Sequence, residues 1–394
     1  GITIIVDPLI SLMKDQEQNL LSMDITCIDK INSEIRLPAE RSFRIKRLSE
    51  GFDQFVFVSP ERFQTQEFRD ALIGIRAERK ILQLVIDEAH CVSEWGHDFR
   101  PAYLHLGKNA RNLIDENIIM YGLTGTASFD VLSDVAREVN INLQDIIESN
   151  SFDREELRFA IQEKRYKPDQ ADSTQKSKIL IRVLSVIHRF YGYETAEKFF
   201  TQKNENGYVN CGIVFCPHGG IEFNEYAPFS VGTVAENLID HYRNNVQFNM
   251  AVRKYSGKLE NLDREIIQNE FKNNQCQILV STCAFGMGID KPNIRFVIHY
   301  SCPQSIEAYY QEAGRAGRDR NKALCISLFS DDKILFKQGP AGFGAPYIQK
   351  LNDKSFLDAE ASGAEAILLS QNRALINPDF DWRNNPINNG DLCF

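Results

Sequence analysis

The chain is 394 residues long, 43% of them hydrophobic, and carries a formal net charge of −9. That is length enough for two domains with a core each, while the negative balance excludes binding of nucleic acid through a uniformly basic surface and leaves only a local groove for such a role. No apolar run is long enough to span a bilayer and no signal peptide is visible, so an intracellular, soluble protein is expected.

In chain order, strands are expected at Ile2 to Val6, Gln54 to Val58, Leu82 to Ile86 and Ile118 to Leu123, alternating with helical stretches such as Leu9 to Leu20 and Phe129 to Val139. Such alternation means a parallel sheet covered on both faces, here over residues 1–149. The polar run FDREELRFAIQEKRYKPDQADSTQ reads as a connection over 150–176. A second sheet unit follows over 177–336, with strands at Gly212 to Cys216, Gln277 to Ser281, Arg295 to His299 and Ala323 to Phe329. An insertion-like segment, Glu194 to Asn210, precedes its first clear strand and receives no role. From 337 to 394 the composition turns to loop and asparagine-rich sequence without a period.

Nine cysteines are scattered through these elements; the closest pairs, Cys211 with Cys216 and Cys276 with Cys283, lack C-x-x-C spacing. Reduced, mostly buried thiols fit this better than a disulfide frame or a zinc site.

The densest chemistry lies in LVIDEAHCVSEWGHDFRPAY, Leu84 to Tyr103. A buried parallel strand puts Asp87 and Glu88 at its carboxyl end, where open α/β sheets hold ligands. One carboxylate there suits hydrated magnesium and the next suits orienting an attacking water. Trp95, Phe99 and Arg100 follow, offering ring faces and a guanidinium plane to a single strand of nucleic acid. The pattern is that of an ATP-driven nucleic-acid motor.

The block DEAHCVSEWGHDFRP closely resembles the RecQ-type DNA helicases of superfamily 2. VDPLISLMKDQ, VSPER, LTGTAS, STCAFGMGIDKPNIRFVIHY and QEAGRAGRDR each resemble the corresponding helicase element, in the same order. The resemblance implies two RecA-like lobes, each a parallel sheet covered by helices, and an ATP-dependent, 3′ to 5′ DNA helicase core acting in repair and recombination. It implies ATP and Mg2+ as cofactors, single-stranded and forked DNA as partners, and a cytoplasmic, nucleoid or nuclear location on chromosomal DNA. Asp87 would act through water on magnesium and Glu88 on the attacking water, with His90 and Thr124 to Thr126 relaying nucleotide state. Arg318 and Arg315, on an expected helix, would reach the γ-phosphate, with Gln311 completing the interface and Asp290 near the ribose. Ser59 to Glu61 and Thr282 resemble phosphate contacts of the family, Lys14 more weakly; Trp95, His97, Phe99 and Arg100 would couple the strand to the nucleotide.

Three departures qualify the resemblance. FCPHGG, Phe215 to Gly220, lacks the family's Ser-Arg ending, which puts a DNA role for His218 in doubt. Beyond the QEAGRAGRDR block only Cys325 and Cys393 remain and no histidine follows His299, so no four-ligand zinc site is expected. No G-x-x-x-x-G-K-[ST] or G-x-G-K-[ST] occurs. The family places that loop upstream of the strand at Ile2 to Val6, so the first lobe is expected to lack its P-loop strand, to show an unpaired sheet edge and to be inactive alone. A related RNA helicase and a non-catalytic nucleic-acid-binding scaffold remain as alternatives.

Overall fold

The structure, a computed structural model, describes residues 1–35, 37–93, 102–103, 105–125, 129–147, 153–164, 175–224, 227, 229–245, 250–285, 290–301, 303 and 306–330. It divides into two compact units, the second beginning at Asp153.

The first unit runs β1 (Ile2–Val6), α1 (Ile10–Ser22), β2 (Ile28–Ile31), α2 (Pro38–Glu50), β3 (Phe55–Val58), α3 (Gln66–Glu78), β4 (Ile81–Ile86), α4 (Leu106–Leu113), β5 (Ile119–Gly122) and α5 (Phe129–Val139). Its sheet has the order β2-β3-β1-β4-β5, and every pair is parallel. The central strands are apolar because both their faces are covered: Ile4, Val6, Val56, Val58, Leu84 and Ile86 pack with Phe63, Phe68, Leu72, Leu106 and Ala110 in one core. Helix ends follow local chemistry. Pro38 opens α2, where its missing N–H costs nothing, and Gly51 closes it at φ 89°, returning its N–H to Arg47 O and Leu48 O.

The second unit contains β6 (Leu157–Lys164), α6 (Gln175–Phe190), α7 (Ala196–Thr201), β7 (Cys211–Phe215), α8 (Val231–Asn245), β8 (Val252–Tyr255), α9 (Asn261–Lys272), β9 (Ile278–Ser281), β10 (Ile294–His299), α10 (Ile306–Ala313) and β11 (Ala323–Ser330). The order is β6-β11-β10-β7-β9-β8, again parallel throughout.

Two readings of the sequence need correction here. The stretch expected to be only a connection contains β6, which pairs with β11 from Leu157↔Ala323 to Lys164↔Ser330. Within its polar surroundings LRFAI still supplies a buried Leu157 and Ala160, enough for one strand. The segment 194–210 is mostly exposed, but it enters the core through two side chains. Thr195 accepts a hydrogen bond from Lys198 N and starts α7, whose Phe199 and Phe200 are fully buried. Phe199 stacks on Tyr191 with ring centroids 5.0 Å apart, and Phe200 meets Phe296 edge-on at 6.0 Å. Gly212 is required beside them: a Cβ there would lie 2.2 Å from the Phe296 ring.

At the other sheet, β5 bonds only to β4, and among the described residues no strand lies on its outer side. Ile119 and Tyr121 on it are 57% and 48% exposed. An apolar edge with free N–H and C=O groups is a template for pairing with other chains. Ile119→Lys together with Tyr121→Lys is therefore expected to suppress concentration-dependent light scattering of residues 1–394. Stability should change by only about 0.5 kcal/mol, as for other surface substitutions. Undiminished scattering would show that aggregation, if any, starts elsewhere.

Candidate nucleotide and nucleic-acid site

The acid pair is placed by the sheet. Asp87 N continues the strand ladder to Val6 O at 2.8 Å, so the residue leaves β4 at its carboxyl end. Its Oδ1 accepts the Glu88 N–H at 2.9 Å and its Oδ2 accepts an N–H of the Gln16 amide, on α1, at 2.7 Å. Both oxygens are thus oriented by neutral donors. Glu88 takes φ 47° and ψ 48°, a left-handed conformation costing about 1–3 kcal/mol in a non-glycine residue. That bend ends the strand and starts the short 3-10 turn Ala89–Val92, fixed by Ala89 N to Leu123 O at 2.8 Å.

His90 is buried at 3% exposure, with Nδ1 3.0 Å from Thr124 Oγ1 and 3.3 Å from Glu88 Oε2. Burial lowers its pKa, and the negative charge of Asp87 only partly opposes this. A neutral imidazole therefore joins the acid pair to the loop after β5. The buried Asp7, at the carboxyl end of β1, accepts the Leu9 N–H at 2.9 Å and shapes the turn into α1. Ser93 donates to Asp134 Oδ2 at 2.7 Å and ties the start of the aromatic loop to α5. Trp95, His97, Phe99, Arg100 and Thr126 lie outside the described residues.

Ser59 is buried ahead of a five-residue 3-10 helix, Pro60–Gln64. Since Pro60 has no N–H, any phosphate contact at this turn falls to the amides of Ser59 and the exposed Glu61. Lys14 pairs instead with Glu34 at 2.9 Å.

In the second unit Gln311 lies on α10, but that helix stops at Ala313. Arg315 and Arg318 stand on the turn after it, not on the helix, with Arg315 8% exposed and Arg318 3.2 Å from Asp290. Thr282 follows β9 and its Oγ1 accepts Ala284 N at 3.4 Å. Structure brings Asp87, Glu88, His90 and Thr124 into one cluster, and Asp290 and Arg318 into another. Gln16 and Asp7 are partners that the sequence reading did not single out, and Arg154, which with Asp153 resembles the start of the family's interlobe connection, had no contact assigned to it.

Residues 1–135 match the DEAD/DEAH box helicase family and residues 207–320 the helicase conserved C-terminal domain. The chain is 32% identical to the ATP-dependent DNA helicase RecQ of Haemophilus influenzae over 100% of its own length and 55% of the relative's. It is 33% identical to that of Bacillus subtilis over 86% and 48%. The chain belongs to the RecQ family. It spans about half the length of the curated RecQ relatives it matches. Solved folds agree: helicase Lhr of Mycobacterium smegmatis, bound to ssDNA and AMP-PNP, is similar with a TM-score of 0.57 at 16% identity, covering 83% of this chain and 40% of Lhr. Dbp5 of S. cerevisiae, bound to RNA and ADP BeF3, is similar with a TM-score of 0.54 at 15% identity, covering 95% and 81%. Two parallel sheets covered by helices are therefore the tandem RecA-like lobes of this superfamily.

RecQ family membership implies ATP and Mg2+. A magnesium ion in such sites needs only one or two protein carboxylates beside water and substrate phosphates, and the Asp87 carboxylate, fixed at both oxygens, fits that share. The phosphates themselves want a glycine-rich cradle with a lysine, and no such motif occurs in these 394 residues.

Proposed function

We propose that this chain forms the motor core of an ATP-dependent DNA helicase that translocates 3′ to 5′ on single-stranded and forked DNA during repair and recombination inside the cell. The observation that carries the reading is the Asp87–Glu88 pair at the carboxyl end of β4, tied through neutral His90 to Thr124. In this reading Asp87 would hold magnesium through water, and the ion would supply charge neutralisation at the phosphates. Glu88 orients and deprotonates the attacking water. His90 passes a change at Glu88 to Thr124 and the loop that follows. Arg315 and Arg318 serve the γ-phosphate, Gln311 and Asp290 complete that arrangement, and a guanidinium suits it because it is planar and always charged. Ser59, Glu61 and Thr282 contact DNA phosphates, while Trp95, His97, Phe99 and Arg100 sense the strand. Mostly phosphate contacts suit a motor that steps along any sequence. No described helix is long and apolar enough to cross a membrane.

The test is strand displacement by the natural protein on duplexes carrying a 3′ or a 5′ single-stranded tail, in DNA and in RNA. ATP-dependent unwinding of the 3′-tailed DNA alone is expected. Preference for RNA would favour a relative that acts on RNA, and DNA binding without ATP turnover would favour a scaffold.

A further inference from the structure

The turn that carries Arg315 and Arg318 lies outside helix and strand, and beside its backbone hydrogen bonds one side chain gathers three of its carbonyls. After α10 ends at Ala313, Gly314 N, Arg315 N and Ala316 N return to Tyr310 O, Glu312 O and Ala313 O, so the carbonyls left over are those of the turn itself. Arg154 supplies donors for this turn: Nη1 donates to Gly314 O at 2.6 Å, and Nη2 donates to Ala316 O at 3.0 Å and to Gly317 O at 3.1 Å. Three carbonyls spanning four residues thus converge on one guanidinium. Its Nε donates to Glu156 Oε1 at 2.7 Å, and Arg320 Nη1 closes on the same oxygen at 3.3 Å.

Glu156 is 9% exposed. Burial opposes its charge, but hydrogen bonds from its own backbone and from Arg154, with the charges of Arg154 and Arg320, outweigh this and hold its carboxyl below the usual range. The guanidinium is therefore fixed from behind as well as in front. The turn is packed to match. Gly317 takes φ +64°, and a Cβ on it would lie 3.0 Å from Glu156 Cγ; a Cβ on Gly314 would lie 2.8 Å from Tyr310 O. Gly317 N reaches Ile294 O at 3.0 Å, and Ala323 N reaches Glu156 O at 2.9 Å. The clamp thus joins the start of β10, the start of β11 and the approach to β6.

We propose that Arg154 is a positioning residue for the motor reaction: it sets the backbone from which Arg315 and Arg318 project, without touching nucleotide itself. This rests on the assignment of those two arginines to the γ-phosphate. The chemistry selects arginine here, because a lysine presents a single ammonium and cannot span three carbonyls in a planar fork. Arg154 is also the second residue of its unit, so the chain arriving from the first unit is anchored on the arginine-bearing turn.

The experiment uses the natural protein with saturating single-stranded DNA. Arg154→Lys is expected to lower kcat for ATP roughly 10- to 100-fold, the penalty for a displacement of about 1 Å at a reacting group. KM for ATP and the Kd for single-stranded DNA should stay within about twofold, a split that general loosening of the fold would not give. Glu156→Gln, which keeps the size of the side chain but removes its charge, should move kcat in the same direction by less and serves where Arg154→Lys folds poorly. A mutant cycle decides the route of action. If Arg154 acts through these two arginines, then adding Arg154→Lys to the Arg315→Ala, Arg318→Ala pair should make it no slower than that pair alone. Multiplied losses, or a loss carried in KM or in DNA affinity, would overturn the proposal. Full rates in both Arg315→Ala and Arg318→Ala would overturn the arginine assignment instead, and the clamp would then have no catalytic group to position.

Discussion

Glu88→Gln in the natural protein is expected to slow ATP hydrolysis by roughly 10²- to 10⁴-fold, the usual contribution of a positioned general base, while nucleotide and single-stranded DNA still bind. The amide keeps the size of the side chain and an oxygen acceptor 3.3 Å from His90 Nδ1, but it cannot take a proton from water. Asp87 keeps its two donors, from Glu88 N and Gln16, so the carboxylate assigned to magnesium is left in place. Steady-state turnover with a coupled assay reads the first quantity, and the anisotropy of a fluorescent nucleotide and of labelled DNA reads the others. A variant that binds ATP tenfold more weakly at an unchanged rate would move Glu88 from chemistry to binding. Residues 1–394 alone, having no G-x-x-x-x-G-K-[ST], should hydrolyse ATP no faster than their own Glu88→Gln variant.

The acid pair was legible because two simple signals coincide there. An apolar run marks a strand buried between helices, and charged residues directly after it must leave the sheet at its carboxyl end. The partners that orient the pair were not legible. Gln16 is one polar residue on a helix face, 71 positions from Asp87, and its amide becomes a partner only once β1 lies beside β4. Arg154 likewise sits in a run of charges, where nothing local tells a clamp from a solvated side chain.

The strands divide along a physical line. Those recognised are the central strands and β5, whose apolar runs are read directly. Those missed, β2 (IDKI), β6 (LRFAIQEK) and β8 (VRKY), are all edge strands of their sheets. An edge strand is short or charged because one side of it meets no partner, so its hydrophobic signal is diluted. β5 is the edge that breaks this habit, and its apolar exposure is what makes it an aggregation hazard.

The aromatic cluster around α7 gives the largest expected stability effect. Phe199→Ala should destabilise the second lobe by about 3–5 kcal/mol, the range for emptying a fully buried phenylalanine site. The cost belongs at the high end because the hole cannot collapse easily. Phe199 is bounded by Tyr191 at 5.0 Å, Tyr193 at 5.5 Å, Phe200 at 4.8 Å and Phe296 at 6.4 Å. Two of these rings are held by polar contacts of their own. The Tyr191 hydroxyl donates to Arg295 O, and the Tyr193 hydroxyl accepts from Asn210 Nδ2 at 3.2 Å. Asn210 Nδ2 also donates to Phe199 O at 2.9 Å, which ties the far end of the segment back onto α7. Urea unfolding followed by tyrosine and tryptophan fluorescence, fitted with separate transitions for the two lobes, measures the loss. Phe223, 57% exposed, is the control: Phe223→Ala should stay within about 0.5 kcal/mol of the parent. If Phe199→Ala unfolds at the same urea concentration as the parent, the segment 194–210 is an ornament on the lobe rather than part of its core.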